Sequence, residues 1–434
     1  MSYLPQLLFA LALAAAIGYF AKNVGQIKRN INLGRDIDRK DRKNERFNNM
    51  LRVAFGQSKM QAKPVAGALH LVVYVSFLII NIEVLEIIVD GLFGTHRFFA
   101  PFFGSAYDVV ISFFEVLAVL TLITVGAFWW RRNVMKIDRF HKPEMKGWPF
   151  KDANTILYIE VALMFALLNM NAVEENMEGA SHSFLISSLI APLWSGLSEG
   201  GLHIAERAFW WVHILGILSF LNYLPYSKHF HIILAFPNTY YANLEAKGRF
   251  ANNAAVTKEV SMMMDPNVDP FAAPAPESDA PVERFGAKDA MDLSWVNLLN
   301  AYTCTECGRC TSECPANLTG KKLSPRKIMM DTRDRIEEIG QNIATNGEFK
   351  DDGKSLLGDF ITQEELWACT SCNACVQACP VDIDPLNIIM QLRNYATMEE
   401  SSAPAELNAM MSNVENNGAP WPFSQMDRAN WINE

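Results

Sequence analysis

All eight cysteines of the chain fall into two runs of identical spacing, each of the form C-x-x-C-x-x-C-x-x-x-C-P. The runs comprise Cys304, Cys307, Cys310 and Cys314, and then Cys369, Cys372, Cys375 and Cys379. Thiolates at this spacing are typical ligands of [4Fe–4S] cubanes, because three follow one another round a tight turn and the fourth comes from elsewhere. A zinc site or a pair of disulfides is the alternative, but it explains the third cysteine and the Cys-Pro pair poorly. The runs predict two clusters that transfer single electrons.

The pattern also indicates how the cysteines are shared. In bacterial two-cluster ferredoxins the fourth cysteine of each run ligates the other cluster. Shared in that way, the cysteines form two sets: Cys304, Cys307, Cys310 and Cys379 for cluster 1, and Cys369, Cys372, Cys375 and Cys314 for cluster 2. Pro315 and Pro380 then turn the chain away after each fourth ligand.

Five apolar stretches precede the cysteines, and most are long enough to cross about 30 Å of hydrocarbon as helices. The predicted helices cover about residues 4–22, 65–92, 107–130, 155–172 and 207–230. The first stretch has no Lys or Arg before Lys22, which favours a retained anchor over a signal peptide. We therefore expect an all-α membrane protein, with a five-helix transmembrane bundle over residues 1–235.

Positive charge is concentrated in two of the four loops between these helices, from Lys22 to Lys63 and from Arg131 to Lys151. The positive-inside rule places both loops in the cytoplasm of a bacterial cytoplasmic membrane. The N-terminus would then lie outside and the cysteines inside, in a reducing compartment where disulfides are not expected. Membrane topology explains the basic loops. We therefore expect the lipid bilayer as a partner and no nucleic acid.

The rest of the chain divides by composition. Residues 236–288 are predicted to be a cytoplasmic linker, since they contain a stretch rich in Pro, Ala and Asp. Residues 289–398 hold the cysteine runs and are predicted to form a mostly α-helical dicluster domain. Residues 399–434 form an acidic tail, in which Trp421 and Trp431 either dock a partner or pack on the chain's own domain.

Three of the eight histidines, His70, His213 and His231, fall within or at the edge of apolar helices, where ionisable groups are functional candidates. A transmembrane b-type haem is held by two histidines on facing helices. His70 and His231 lie at the cytoplasmic ends of the second and fifth predicted helices, and therefore at one depth. His213 precedes His231 by 18 residues, or about 27 Å along a continuous α-helix, near the outer leaflet. Simple interhelical hydrogen bonds are the alternative for these histidines.

The helical part resembles the cytochrome b (gamma) subunit of respiratory nitrate reductase and the membrane subunits of heterodisulfide reductase. The resemblance rests on the five helices and on the stretch from His213-Ile-Leu-Gly to Lys228-His-Phe-His231. It implies one haem b held by His70 and His231. A second haem would use His213, but its family partner, ten residues beyond His70, is replaced here by Ile80.

The cysteine part resembles the small ferredoxin-like subunit of heterodisulfide reductase, through Cys-Gly308-Arg-Cys-Thr and Trp367-Ala-Cys. Together the two resemblances cover most of the chain, as a fusion of a cytochrome b bundle with a two-cluster domain.

Buried acids supply a candidate site for quinone and protons. Glu83 and Glu86 lie in the outer half of the second predicted helix, and with His213 they form that candidate site. Quinol oxidation releases protons, which carboxylates or a histidine can accept. The alternative is that the two acids face water near a helix end or pair locally.

These features predict a membrane-bound electron-transfer subunit of a quinone-linked oxidoreductase. Electrons would pass between menaquinone or another quinone, haem b, two [4Fe–4S] clusters and a cytoplasmic heterodisulfide-reductase-like partner. The alternatives are a quinone reductase module fed by a ferredoxin or flavoprotein, and a membrane redox sensor. We find neither a Rossmann glycine fingerprint nor a nucleophile elbow, so the catalytic part is expected on a separate polypeptide.

Overall fold

The computed structural model describes residues 3–178, 182, 184–250, 252–267 and 284–433 of the 434-residue chain. In those residues the regular elements are helices, and no β-strand occurs among them. Five helices there are long and apolar enough to cross a membrane. The predicted helical fold class, with five candidate membrane helices, is thereby confirmed.

Long helices alternate with short ones in the first part of the chain. The α-helices are α1 (Leu4–Ile31), α2 (Lys43–Met50), α3 (Pro64–Phe93), α4 (Ala100–Phe103), α5 (Tyr107–Asn133), α6 (Trp148–Glu174), α7 (Ser187–Ile190), α8 (Glu199–Tyr223), α9 (His231–Tyr240) and α10 (Ala254–Met264). The candidate spans are Leu4–Ile31, Pro64–Phe93, Ala100–Asn133, Trp148–Glu174 and Glu199–Tyr226. They extend past most of the predicted helix ends, because the helices continue through polar residues that flank the apolar stretches.

The ends of the long helices follow local chemistry. Proline at the first positions of α3 and α6 suits a helix start, where its missing N–H has no partner to lose. The Ser198 hydroxyl caps α8 by accepting from the Gly201 N–H at 3.3 Å. Pro225 ends that helix, because its ring cannot continue the backbone hydrogen bonds. The chain then passes through two 3₁₀ turns before α9 begins at His231.

That break corrects the predicted fifth helix, 207–230. The observed α8 begins earlier and ends at Tyr223, and residues Leu224–Tyr226 and Lys228–Phe230 form the 3₁₀ turns. The apolar pattern continues through this region, but the backbone direction does not. The side chains of His229 and His231 are therefore placed by a turn and a new helix rather than by the end of α8.

The bundle is built around α6, which packs against both α5 and α8. Helix α3 packs against α5 and α1, and α1 also contacts α8. A buried apolar cluster between them contains Phe9, Ile80, Leu117, Leu167 and Ile214. Large apolar side chains on the outer surface are exposed, as expected for helices that face lipid.

The second part of the chain is a set of shorter helices. They are α11 (Trp295–Thr303), α12 (Arg309–Ser312), α13 (Pro315–Leu318), α14 (Pro325–Asn346), α15 (Gln363–Trp367), α16 (Ala374–Ala378), α17 (Pro385–Met398) and α18 (Ala405–Asn417). The predicted linker, 236–288, contains the end of α9 and all of α10, and its residues 268–283 lie outside the described part. Trp421 and Trp431 of the predicted tail are exposed.

One buried apolar cluster joins the two parts of the chain. It contains Ile27 and Ile31 of α1, together with Leu298 and Ile336 of the cysteine domain. Gly340 of α14 lies so close to Asn30 of α1 that a side chain added at position 340 would displace it. The cysteine domain is therefore packed directly on one end of the bundle.

Candidate electron-transfer sites

The two cysteine runs adopt the same local backbone. Glu306 and Gly308 of the first run have positive φ angles of 53° and 71°, and the equivalent Ser371 and Asn373 have 55° and 62°. These left-handed residues reverse the chain between successive cysteines, which lets three sulfurs of a run face one centre. The structure thus gives the sequence repeat a matching repeat in three dimensions.

The fourth cysteine of each run approaches the other run. Burial, together with the neighbouring thiols of Cys307 and Cys304, raises the pKa of Cys379 to about 12. Burial likewise raises the pKa of Cys375, with Asp384, Cys369 and Cys314 contributing in turn. These neighbours belong to the sets expected for crossed ligation, which stays a prediction.

The donor sets fit [4Fe–4S] clusters. All eight cysteines are free thiols in the structure. Burial disfavours a bare thiolate, so thiols gathered in this way ionise readily only when a cationic centre among them stabilises the thiolates. Backbone N–H groups of Ser371 and Ile383 donate to the sulfurs of Cys369 (3.4 Å) and Cys379 (3.3 Å). Such hydrogen bonds are among the means by which proteins tune cluster potentials.

His70, His229 and His231 come together at the end of the bundle next to the cysteine domain. The His231 Nδ1 atom lies 3.0 Å from the Lys228 carbonyl, so its Nδ1 carries the proton and Nε2 can bind a metal. The rings of His229 and His231 are 5.5 Å apart at 88°. Burial, together with the nearby charges of His231 and His70, lowers the pKa of His229 to about 3.

His70 itself fits a metal ligand. Its Nδ1 atom is buried without a hydrogen-bond partner in the described structure. A buried imidazole nitrogen without a partner is costly, and a metal ion would satisfy it. On a regular α-helix, residues two positions apart point to different sides. His229 lies in the 3₁₀ turn before α9, and its ring lies beside that of His231.

The structure does not contain the continuous helix on which the expected position of His213 was based. The separation of about 27 Å required one continuous helix from residue 213 to residue 231, whereas α8 ends at Tyr223. His213 lies ten residues before that end, about 15 Å along the helix and near mid-span. Its Nδ1 contacts the Leu163 carbonyl at 2.9 Å, and its Nε2 is buried without a partner in the described residues.

Glu83 and Glu86 lie in a buried polar network at the opposite end of the bundle. The Arg97 guanidinium is its centre, 3.6 Å from the Glu83 carboxylate and 2.7 Å from that of Glu174. Arg97 also donates to the Asn171 side chain at 2.6 Å. The sequence pattern did not identify Arg97, because the charge lies in a loop that folds back over the helices.

The two acids have different partners within that network. Glu86 accepts from the Tyr107 hydroxyl at 2.6 Å and from the Phe99 N–H at 2.7 Å. Both carboxylate oxygens of Glu83 are buried without a hydrogen bond in the described residues, and Arg97 is its near charge. Both acids are only 2% exposed, so they do not face water. His213 lies about 10 Å further along α8 than Glu206, which borders the network, and is outside it.

A cavity of about 20 Å³ adjoins the network, enough for about one water molecule. Its polar lining residues are Glu86, Asp90, Thr95, His96, Arg97, Glu174, Glu206 and Arg207. His96 is over half exposed and contacts Glu174 at 3.0 Å. The network therefore reaches from the buried Glu83 to the surface of this end of the bundle.

Lys228 connects the histidines to the first cysteine run. Its carbonyl is the partner of His231, and its ammonium forms a short ion pair with Glu306, which stands between Cys304 and Cys307. Arg333 donates to the other oxygen of Glu306 at 2.8 Å. Burial alone would raise the pKa of Glu306, but Lys228 and Arg333 outweigh it and hold that pKa below its usual range.

We expect Lys228→Met to destabilise the chain by about 3 kcal/mol, since removing one partner of a buried ion pair leaves a buried charge. This loss is at the low end of the range for breaking a buried ion pair, because Arg333 still pairs with Glu306. With the folded pKa of Glu306 depressed, this stabilisation is full above the ordinary glutamate pKa and is lost as the pH falls through the folded value. Thermal denaturation of the purified chain at neutral and acidic pH measures both effects.

The control is Lys322→Met, because Lys322 and Glu364 form an ion pair whose side chains are both more than half exposed. Exposed pairs contribute about 0–1 kcal/mol. Equal destabilisation by the two substitutions would contradict the importance of the Lys228 contact.

Comparison with known proteins agrees with the cysteine geometry. Residues 303–383 match the family described as "4Fe-4S dicluster domain". This supports iron–sulfur clusters rather than zinc or disulfides at the two runs. No solved structure matches the chain.

Curated relatives extend the similarity. The chain is 28% identical to the "Probable iron-sulfur-binding oxidoreductase FadF" of Bacillus subtilis (strain 168), over 99% of this chain and 61% of that protein. It is 24% identical to the "EtfAB:quinone oxidoreductase" of Syntrophomonas wolfei, over 92% of this chain and 55% of the relative. The chain thus spans little more than half the length of these two proteins.

A third relative covers only the cysteine part. An iron–sulfur subunit of the CoB–CoM heterodisulfide reductase of Methanocaldococcus jannaschii is 30% identical over 104 residues, which are 24% of this chain and 43% of that protein. The predicted relationship to heterodisulfide reductase is thereby confirmed for the cysteine part. The chain is related to iron–sulfur oxidoreductases that transfer electrons, whereas the resemblance of its helices to cytochrome b stays a prediction.

Proposed function

We propose that this chain is the membrane-bound electron-transfer subunit of a quinone-linked oxidoreductase, with one haem b and two [4Fe–4S] clusters. The observation that carries the proposal is the position of Lys228, whose backbone contacts His231 and whose side chain contacts Glu306 in the first cysteine run. A candidate haem site and a candidate cluster site are thus joined through one residue.

The residues divide into ligands and supporting groups. His70 and His231 would hold the haem, and the two crossed sets of cysteines given above would hold the clusters. When bound, these groups supply one-electron carriers in series. The chain's own residues fix their places, since the Lys228 carbonyl orients His231. His213 has no histidine opposite it, since Ile80 is part of a buried apolar cluster, and one haem is therefore proposed rather than two.

The proposed location is the bacterial cytoplasmic membrane, with the N-terminus outside and residues 289–398 in the cytoplasm. Contacts between the basic loops and the cysteine domain support this orientation. Lys63 pairs with Glu313 at 2.9 Å, and the Arg139 carbonyl accepts from Arg326 at 2.6 Å. Both basic loops therefore lie on the side of the bundle that carries the cysteines, as the positive-inside rule requires.

The far end of the bundle is the proposed quinone and proton site. Glu83, Glu86 and Arg97 form a buried polar group there, and the exposed His96 links it to the surface. Ionisable groups held inside membrane helices commonly serve proton transfer. His213, at mid-span, belongs to the path between this site and the histidines near the cysteine domain.

The partner at the cysteine end is proposed to be a cytoplasmic redox protein, either a heterodisulfide-reductase-like subunit or a flavoprotein. The name of one relative pairs EtfAB with a quinone. That pairing favours the second candidate function, in which this chain receives electrons from such a partner and delivers them to quinone. The membrane sensor alternative has no comparable support.

Cofactor analysis of the purified full chain tests the proposal. We expect two four-iron clusters with their acid-labile sulfide, and one b-type haem, per chain. An optical spectrum of the reduced protein should show the α-band of low-spin haem, and EPR should show two reduced clusters. A preparation with full cluster content and no haem would contradict the proposed function while leaving the cysteine assignment intact.

We expect Glu83→Gln to slow quinone-dependent oxidation of the reduced protein by about a hundredfold, the usual contribution of a positioned proton-transfer group. Reduction of the quinone consumes protons, and the amide can neither take one up nor deliver it, although it keeps the shape of the side chain. Stopped-flow recording of the haem band after addition of a menaquinone analogue measures the rate.

The matched control is Glu199→Gln, which removes a partly exposed acid near the start of α8. It should leave the rate unchanged. An unchanged rate in Glu83→Gln, with haem content intact, would remove Glu83 from the proton path.

A further inference from the structure

The two cysteine runs are near-copies in sequence and backbone, so their surroundings can be compared position by position. Around the first run, the loop residues contact the membrane end of the chain. Glu306 pairs with Lys228, and Arg309 donates to the Lys59 carbonyl at 3.1 Å. A Cβ added at Gly308 would meet the Arg139 side chain at 3.3 Å.

The equivalent loop of the second run has no such contacts in the described residues. Ser371, the counterpart of Glu306, contacts only its own domain, where Arg393 donates to its hydroxyl at 3.2 Å. Thr370 is exposed, whereas its counterpart Thr305 is half-buried. Cys372 is likewise the one exposed cysteine, and its counterpart Cys307 is not.

The segments after the fourth cysteines show the same difference between contact and exposure. It is exchanged between the runs, because each fourth cysteine approaches the other run. After Cys379, which approaches the first run, Val381 accepts from Asn238 of α9 at 2.7 Å. Asp382 forms an ion pair with Lys59 and accepts from Asn49 at 2.9 Å.

The corresponding segment of the first run faces solvent. After Cys314, which approaches the second run, Leu318 is 69% exposed and Lys321 and Lys322 are exposed. Glu313, which precedes Cys314, forms the ion pair with Lys63. The segments around the first set of cysteines therefore contact the bundle. Around the second set, Glu313 also reaches the bundle, but Thr370, Cys372 and Leu318 are exposed.

We infer that the cluster held by Cys369, Cys372, Cys375 and Cys314 is the port through which electrons pass to or from the soluble partner, across the surface where Thr370 and Cys372 are exposed. The inference rests on the proposed function. The cluster held by the other set, beside Lys228 and His231, exchanges electrons with the haem. The partner is a soluble redox protein whose carrier lies at its own surface, and acidic groups on its rim would meet Lys321, whereas Lys322 already pairs with Glu364.

The first experiment uses the full-length protein in detergent, reduced, with a freely diffusing dysprosium chelate as a paramagnetic probe. Cys372→Ser and Cys307→Ser assign the two EPR signals to the two clusters. We expect the chelate to relax the signal altered by Cys372→Ser and to leave the one altered by Cys307→Ser largely unaffected. Equal or stronger relaxation of the second signal would overturn the inference.

A second measurement leaves all ligands in place. Thr370→Cys and Thr305→Cys change equivalent positions of the two runs, and a maleimide reports their exposure in the assembled protein. Labelling at position 370 without labelling at position 305 is expected, and labelling of both or of position 305 alone would overturn the port assignment. Absence of both cluster signals from the unmodified chain would instead show that the proposed function has failed, and the port with it.

Discussion

Replacing His70 with alanine should abolish the haem α-band of the reduced chain, because one axial ligand of the proposed haem is lost and no other residue of α3 can replace it. The nearest alternatives on that helix are Tyr74 and Ser76, whose hydroxyls are buried without partners in the described residues and are poor ligands for low-spin haem. The cluster signals should remain, since α3 supplies none of their ligands. Optical and EPR spectra of the same purified sample measure both outcomes.

Two further substitutions distinguish the loss of a haem ligand from the loss of another histidine. His203→Ala removes an exposed histidine of α8 and should retain the band in full. His229→Ala removes the ring next to His231, yet the band should survive, because the Lys228 carbonyl fixes His231 with Nε2 available. Loss of the band in His229→Ala with retention in His231→Ala would move the second ligand from His231 to His229.

Replacing Cys379 with serine should disrupt the cluster whose other ligands belong to the first run, although Cys379 lies in the second. The reason is the approach of Cys379 to Cys304 and Cys307 across the domain. Because bound metal contributes directly to folding free energy, the domain should also become less stable. EPR spectra should show the same signal affected as in Cys307→Ser.

Cys314→Ser is the matched variant, since Cys314 occupies the same place in the first run and approaches Cys369 and Cys375. It should affect the other signal. If Cys379→Ser and Cys372→Ser disturbed one and the same cluster, each run would hold its own cluster and the crossed arrangement would be wrong.

The sequence was most informative where chemistry fixes spacing. Four thiols per cluster and a Cys-Pro exit leave few alternatives, and the match over residues 303–383 supports the cluster chemistry. Helix number followed from hydrocarbon thickness, which sets a minimum apolar length. These constraints are local in the chain, so a single sequence displays them.

Features that depend on tertiary contacts were harder to foresee. Hydropathy continues past Tyr223, and only Pro225 indicates the end of α8, so hydropathy alone predicts one continuous helix from His213 to His231. Arg97 is an ordinary loop residue in the sequence but lies buried between Glu83 and Glu174. Glu306 stands inside a cysteine run, where its spacing says nothing of Lys228, 78 residues earlier.

The central claim is that one chain connects quinone to both clusters through a haem. The most direct measurement is to reduce the purified full chain with dithionite, remove the excess, add a menaquinone analogue and follow haem absorption and cluster EPR together. The account predicts that the haem band and both cluster signals return to their oxidised states. A haem and clusters that stay reduced in the presence of the quinone would contradict it.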